Sequence, residues 1–208
     1  ERYGPGSDIG IGLLTTTAIA HLSLRSADDA LTIARDATSR AETHLPAFSD
    51  TRLSAANTLG RCLMATGNPD EAAPIYSELE RLPTAAFDAV HARTLTVQRN
   101  RAKALLAAGR SSDAVAVTAR ALETGTTLGT RAEALMLEHA AALAGSGRAS
   151  DAAAVIDAVA EARPPAMPVT RERAERRRPR RRAIEMQAPA DAEIAAALAR
   201  LEAAWYQD

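Results

Sequence analysis

The sequence has few of the residues that characterise several protein classes. Only six of its 208 residues are aromatic, and Cys62 is its single cysteine. One cysteine excludes an intrachain disulfide, and because no signal peptide is recognisable we expect a cytoplasmic protein. No apolar run is long enough to span a membrane. Alternating runs of aromatic and β-branched residues are nearly absent, which argues against a sheet.

The residues that are abundant favour an all-α protein. Hydrophobic residues make up 47% of the chain, and they are mainly Ala, Leu, Val and Ile. Small side chains allow helices to approach closely. The formal net charge is −1, so the chain as a whole is not a polycation. Lys103 is the only lysine, and the other basic residues are arginines.

A short phrase that joins a turn to the start of a helix occurs four times. Its copies end at Ala30, Ala72, Ala114 and Ala152, which lie 42, 42 and 38 residues apart. Self-similarity at such a period predicts a helical repeat array. Glycine adopts the left-handed conformation that ends many helices. It opens three of the phrases, at Gly67, Gly109 and Gly147, whereas the first phrase has Arg25 there.

The residues after these glycines favour the start of a new helix. Pro69 suits a first helical turn, and acidic residues in the phrases complement the positive end of a helix. Small polar side chains are the usual N-caps. The caps expected here are Ser26, Asn68 and Ser111.

The second copy lies in a segment that resembles a tetratricopeptide repeat (TPR). The residues at the signature positions are Leu59, Gly60, Leu63, Gly67, Ala72 and Tyr76, with Pro83 near the terminal proline. Ala56 replaces the usual Trp. Weaker matches extend the resemblance to residues 11–162. The TPR unit is about 34 residues, so the longer spacing is similar to that of the sensor segments in bacterial transcription regulators and signalling ATPases.

The resemblance implies an all-α, right-handed superhelical array of antiparallel helix pairs, a TPR-like α-solenoid. Helices are predicted at 8–24, 26–44, 50–66, 69–82, 85–108, 111–124, 128–145 and 149–162. The predicted domains are a disordered lead-in (1–7), four TPR-like hairpins (8–162), a Pro/Arg-rich linker (163–189) and a C-terminal amphipathic helix (190–208).

The C-terminal helix carries an apolar stripe. Ile194, Leu198, Leu201 and Trp205 follow one another at spacings of four, three and four residues. Terminal repeats need a cover, so we expect this helix to cap the array by packing on the 149–162 helix. The alternative is that the stripe binds a partner or a second copy.

The first helix of each hairpin lines the groove of TPR proteins, so the resemblance implies a set of groove residues. They are Ser54, Asn57, Arg61 and Met64 in the second hairpin, and Thr96, Arg99, Lys103 and Leu106 in the third. The three basic residues, with Asn57 beside them, predict a surface for an acidic protein or peptide, because Arg matches the geometry of a carboxylate. The alternative is that these charges only solvate helix faces.

An arginine-rich segment is the second candidate surface. Eight arginines and two glutamates lie between positions 171 and 182. Contact with nucleic acid or an acidic partner would use Arg176, Arg177, Arg178, Arg180, Arg181 and Arg182. No aromatic residues are interleaved, and no nucleic-acid fold signature is present. The alternative, which we favour, is a solvated linker that folds back on the acidic repeats.

No set of residues indicates catalysis or a metal. His21, His44, His91 and His139 are scattered and share no metal-ligand spacing with Cys62. We therefore expect no cofactor and no enzymatic activity. The sequence predicts a protein-binding scaffold or a regulatory sensor segment of a larger bacterial protein, such as a transcription regulator. A nucleic-acid-associated protein is the alternative.

Overall fold

The computed structural model describes residues 4–82, 92–128, 132–162 and 181–206, except for the side chains of Ala132, Trp205 and Tyr206. The regular structure within these ranges is helical. In chain order the helices are α1 (Asp8–Ser23), α2 (Ala27–His44), α3 (Asp50–Ala65), α4 (Pro69–Arg81), α5 (Ala92–Ala107), α6 (Ser111–Thr127), α7 (Ala132–Gly145), α8 (Ala149–Glu161), α9 (181–187) and α10 (Ala192–Tyr206).

The predicted helices agree with these bounds to within a few residues, apart from α9. Two predictions lie largely outside the described residues. They are the first residues of the fifth helix, 85–91, and most of the linker, 163–180. None of the helices in the described part has the length and the apolar sequence that crossing a bilayer requires.

The chain divides into two compact units. The first unit is Glu1–Ala89 with Thr96–Ala108, and the second is Val90–Leu95 with Gly109–Asp208. In the first unit α1 packs on α2 and α3, α2 on α3, and α3 on α4. In the second, α6 packs on α7, α7 on α8, and α8 on α10. Turns of only a few residues join the paired helices, which therefore run antiparallel.

Small side chains let the helices of the first unit pack closely. Ile11 of α1 meets Ala37 and Ala41 of α2 and Ala55 of α3. A second cluster joins Ala18, Ala30, Ala34 and Cys62. Cys62 is completely buried, and this burial raises the pKa of its thiol. The thiol is therefore a packing group, as expected for a buried free cysteine.

The turns that end α1, α3 and α7 share one backbone structure. Asn68 N–H donates to the Leu63 carbonyl at 2.8 Å, and Arg148 N–H donates to the Leu143 carbonyl at 2.9 Å. Such bonds require a left-handed residue just before the donor. Gly67 and Gly147 have φ values of +77° and +79°, and Arg25 adopts +63°. The predicted role of the glycines is confirmed.

The predicted helix caps are wrong. Ser26 and Asn68 occupy N-cap positions but accept no capping hydrogen bond, and Ser111 is already the first residue of α6. The tight turn leaves these N-cap residues with ψ near 60°, whereas capping side chains need an extended backbone. Ser7 and Ser49 have that backbone, and each accepts a bond from the third residue along.

Part of the predicted linker is helical. Residues 181–187 form α9, in which Ile184 is fully buried. Arg181 Nε donates to Glu185 at 2.7 Å, one turn along the helix, and Arg181 also pairs with Glu202 on α10. The run of arginines predicted a solvated segment. Glu185, one turn along α9, and Glu202 on α10 neutralise the charge of Arg181. The linker prediction is therefore wrong for 181–187.

Helix α10 covers α8, as expected for a capping helix. Its apolar stripe is buried at Ile194, Leu198 and Leu201. Arg200 forms a bidentate salt bridge with Asp157 of α8, with N–O distances of 2.8 and 2.7 Å. Ser150 of α8 also donates to Glu193 at 2.9 Å. The side chain of Trp205 lies outside the described residues.

Candidate binding surface of the first unit

The predicted groove residues of α3 share one face of the helix. Ser54, Asn57, Arg61 and Met64 follow one another at spacings of three, four and three residues, so they form a strip along the helix. Ser54 and Arg61 are exposed, and the other two are half-buried. The core contacts of α3 use a different face, which carries Ala55 and Cys62. The α3 strip is therefore separate from these core contacts.

The predicted groove residues of α5 form a second strip with the same spacing. Thr96 and Lys103 are exposed, and Arg99 and Leu106 are half-buried. All four belong to the first unit. Two of the three basic residues of the predicted surface are therefore on α5, and the third, Arg61, is on α3.

A hydrogen bond places the two strips side by side. Asn100 Nδ2 donates to Asn57 Oδ1 at 3.1 Å. Asn57 belongs to the α3 strip, whereas Asn100 lies beside the α5 strip, with Arg61 one turn after Asn57 and Lys103 one turn after Asn100. We call the surface formed by the two strips and Asn100 the α3–α5 surface. The two amide groups meet here, and the strips on either side carry the three basic residues, a composition that suits an extended chain with carboxylates.

Asn100 is not among the predicted groove residues. Mapping by the 42-residue spacing paired Asn57 with Arg99, whereas the hydrogen bond joins residues 43 apart. A recognisable signal was present, because asparagines are otherwise rare in this sequence and these two lie about one repeat apart.

A sheltered ion pair fixes the rotation of α5. Arg101 NH1 contacts Glu80 Oε2 of α4 at 2.5 Å, and the two side chains are only 25% and 13% exposed. Removing one partner of such a sheltered pair leaves an unpaired charge in a poorly hydrated site. Arg101 thus anchors α5 to α4, and we assign it a positioning role for the neighbouring Asn100.

A separate cavity of about 380 Å³ lies on another face of α3. Its walls come mainly from apolar residues of α3 and α4, including Leu53, Leu59, Ile75 and Leu79. Arg52 at this cavity donates to the Leu45 carbonyl at 3.2 Å, so its charge is used at the end of α2. No pattern in the sequence predicts this cavity.

The second candidate surface is only partly described. Arg176, Arg177, Arg178 and Arg180 lie outside the described residues. Arg181 is engaged by Glu185 and Glu202, whereas Arg182 is exposed. Arg181 is therefore a structural residue rather than a contact for an external acidic partner, which corrects that part of the prediction.

The histidines do not assemble a site in the described part of the chain. His139 Nδ1 lies 2.8 Å from Thr118 Oγ1, in the second unit. Burial, helped by the charge of Arg148, lowers the pKa of His139. His21 Nδ1 is 3.8 Å from Asp29 of α2. Among described residues no three His, Cys, Asp or Glu side chains are grouped as metal ligands would be.

A family model shows what the repeats of this chain are similar to. Residues 51–127, which run from α3 to the end of α6, match the model of the tetratricopeptide repeat. No curated protein matches the sequence. The predicted resemblance to TPR-like helical repeats is confirmed, and proteins of this fold are typically protein-interaction scaffolds without enzymatic activity.

Solved structures show the same fold over most of the chain. Two crystal structures of nearly identical TPR-like repeats from a Podosopora anserina protein, named as a kinesin light chain, match with TM-scores of 0.71 and 0.73. Their sequence identities are 18% and 17%, and each match covers 92% of both chains. BtubC (BKLC) from P. vanneervenii matches with a TM-score of 0.66 and 15% identity, covering 94% of this chain and 81% of that one. The predicted all-α, TPR-like fold class is confirmed.

Proposed function

We propose that this chain is a non-catalytic scaffold that binds an acidic protein segment on the α3–α5 surface. The observation that carries the proposal is the Asn57–Asn100 hydrogen bond, because it aligns the two helical strips. In the proposed site Arg61, Arg99 and Lys103, each within about one helical turn of one of these asparagines in the sequence, supply the positive charge. A face made by two adjacent helices suits an extended peptide or a helix better than a small molecule.

The chemistry of the face favours carboxylates. Guanidinium groups form two parallel hydrogen bonds with a carboxylate, and the ammonium of Lys103 adds a point charge. The two asparagine amides can bond the backbone of a bound segment, which gives affinity without requiring one sequence. Exposed charges are screened by salt, so the binding is expected to weaken as ionic strength rises.

We also propose a biological setting. The 42-residue spacing supports a scaffold or sensor segment of a larger bacterial regulatory protein that acts in the cytoplasm, as in transcription regulators with long helical repeats. In that setting the acidic partner would be a segment of another regulatory protein or of the same polypeptide.

The direct test measures binding to short peptides with an increasing number of glutamates, each compared with its glutamine counterpart. The variants are Arg61→Glu alone and Arg99→Glu combined with Lys103→Glu. Affinity for the glutamate peptides should fall at least about tenfold in either variant, which corresponds to about 1.4 kcal/mol. The glutamine peptides should bind weakly to all proteins.

Arg182→Glu is the matched control, because Arg182 is exposed and belongs to the second unit. It should leave peptide affinity unchanged. Equal affinity of the α3–α5 variants and the unchanged protein would contradict the proposed site. Loss of binding only in Arg182→Glu would move the site to the arginine-rich segment.

The alternative function, association with nucleic acid through residues 176–182, has less support. One of its six arginines, Arg181, already pairs with two glutamates. Contact with phosphates gives a steep dependence on salt, so binding of random duplex DNA at low salt, lost at higher salt, would favour this alternative.

A further inference from the structure

Helix α1 presents an apolar face that no described residue covers. Ile9, Leu13 and Leu24 are 44%, 64% and 76% exposed. Thr16, Thr17 and Ala20 lie between them on the same side and are exposed too. The buried residues Ile11, Thr15 and Ala18 occupy the opposite side. No charged side chain interrupts the face between Asp8 and His21.

The hydroxyl groups on this face are already satisfied. Thr16 Oγ1 donates to the Gly12 carbonyl and Thr17 Oγ1 to the Leu13 carbonyl, both at 2.9 Å. Each hydroxyl is therefore turned back toward the backbone of its own helix. Burying the face leaves no hydroxyl donor without an acceptor, so the usual penalty for burying polar groups is small.

The equivalent face of α3 is buried. Leu13 and Ala20 correspond to Ala55 and Cys62, 42 residues later. Ala55 and Cys62 pack against residues of α1 and α2. In α3 this side of the helix therefore packs against the preceding helices. The equivalent side of α1 has a similar surface, but no helix among the described residues packs against it.

The α1 face is complementary to itself when two copies run antiparallel. With a two-fold axis between Thr16 and Thr17, Leu13 of one copy lies opposite Ala20 of the other. Ile9 lies opposite Leu24 in the same arrangement. A large side chain thus meets a small one near the centre, which is the condition for close packing of helices.

Charge selects the antiparallel direction. Asp8 and Arg25 flank the two ends of the face, and both are exposed. An antiparallel pair brings Asp8 of one copy toward Arg25 of the other at both ends, and it also opposes the helix dipoles. A parallel pair would place like charges together. The face has no arginine or lysine between its ends, so it lacks the basic residues that favour an anionic membrane.

From these observations we infer that α1 is a self-association surface, through which two copies of this chain form an antiparallel, two-fold symmetric dimer. One pair of helices gives an interface at the small end of stable protein contacts. The dimer is therefore weak and depends on concentration. This surface is separate from the α3–α5 surface, so a dimer presents two peptide-binding faces.

Sedimentation velocity over a range of protein concentrations tests the dimer. The unchanged protein should shift from monomer to dimer as concentration rises. Leu13→Glu should raise the dimer dissociation constant about 100-fold or more, because symmetry places two buried charges in the interface. Met186→Glu is the matched control, since Met186 is 69% exposed and belongs to the second unit. It should leave the dimer unchanged.

A charge exchange tests the antiparallel direction. Asp8→Arg and Arg25→Asp should each weaken the dimer, because each puts like charges together at both ends. The double variant should restore it. Asp is among the residues that tolerate the left-handed conformation at position 25, and circular dichroism checks that each variant keeps its helices.

Three results would overturn the inference. The first is a protein that stays monomeric at every concentration, in which case another partner uses the face. The second is a dimer that Leu13→Glu leaves intact. The third is a double charge variant that dimerises no better than the single ones, which would exclude the antiparallel register.

Discussion

Tyr76 lies directly against Gly60. A Cβ atom built on Gly60 would stand 2.6 Å from Cζ of the Tyr76 ring. Tyr76 is almost completely buried, and its burial raises the pKa of its phenol. The missing side chain at position 60 is what allows α3 and α4 to pack across this ring. Both residues belong to the TPR signature seen in the sequence, and the contact gives its physical reason.

Gly60→Ala should destabilise the first unit by about 1–2 kcal/mol. The added methyl overlaps a rigid buried ring, and overpacking of this kind outweighs the gain in helix propensity. Urea unfolding followed by circular dichroism measures the change. The same substitution at Gly12 is the control, because Gly12 is also helical but nothing lies within 4 Å of its Cβ position. Gly12→Ala should stabilise by about 0.5–1 kcal/mol, and equal effects at both sites would contradict this account.

Arg25→Gly should stabilise the turn between α1 and α2 by about 1 kcal/mol. Arg25 is held at φ +63°, and a side chain with a Cβ is strained in that region. Gly67→Ala introduces the same strain at the equivalent turn, where φ is +77°, and should destabilise by a similar amount. Thermal unfolding at low protein concentration measures both. A loss of stability in Arg25→Gly would show that the arginine side chain contributes more than its backbone strain removes.

The second unit should lose stability as the pH falls below about 6.5, the ordinary pKa of histidine. The folded protein lowers the pKa of His139 through burial, so the unfolded chain binds the proton more readily. Stability is then fully present above the unfolded pKa and is lost as pH falls toward the folded pKa. Urea unfolding at pH 7.5 and at pH 5 measures the loss.

His139→Gln is the comparison for this pH dependence, because glutamine keeps a polar group near Thr118 but does not titrate in this range. The variant should show a smaller difference between the two pH values. A nuclear magnetic resonance titration of the histidine ring protons gives the pKa directly, and a His139 pKa above that of an exposed histidine would refute the prediction.

Arg200→Ala should loosen α10 and change the titration of Asp157. The bidentate salt bridge between Arg200 and Asp157 lowers the pKa of the carboxyl group. Without Arg200 that pKa should return toward the ordinary value, and amide hydrogens of α10 should exchange faster. Arg110→Ala, which removes a pair with Asp113 within the first turn of α6, is the control. Unchanged exchange in α10 would show that apolar packing alone holds this helix.

Much of the fold could be predicted because its signals are local. Glycine ends a helix because it can adopt the left-handed conformation by itself, as at Gly67, Gly109 and Gly147. The spacing of apolar residues predicts how far each helix extends. The caps failed for an equally local reason. The tight turn at Gly67 leaves Asn68 with a backbone conformation that is unsuited to capping. Residue type alone, which identified Asn68 as a good cap, does not reveal that conformation.

The long-range contacts could not be predicted in the same way. The Asn57–Asn100 contact joins residues 43 apart, whereas the phrase spacing indicated 42. Two contacts between α8 and the capping helix α10 also join residues 43 apart, and no copy of the phrase in α10 could predict them. One residue rotates a side chain by about 100° around a helix, so this difference decides which groups meet. Helix α9 was missed for a related reason, because it makes contacts with residues distant in the sequence, such as the hydrogen bond from Ser111 to Gln187.

The complete burial of Cys62 has a practical consequence. It is the only thiol in the chain, and it lies in the first unit. A reagent such as iodoacetamide reaches that sulfur only when α1, α2 and α3 separate. The rate of alkylation therefore reports opening of the N-terminal hairpins, and it does not respond to events confined to the helices after Gly109.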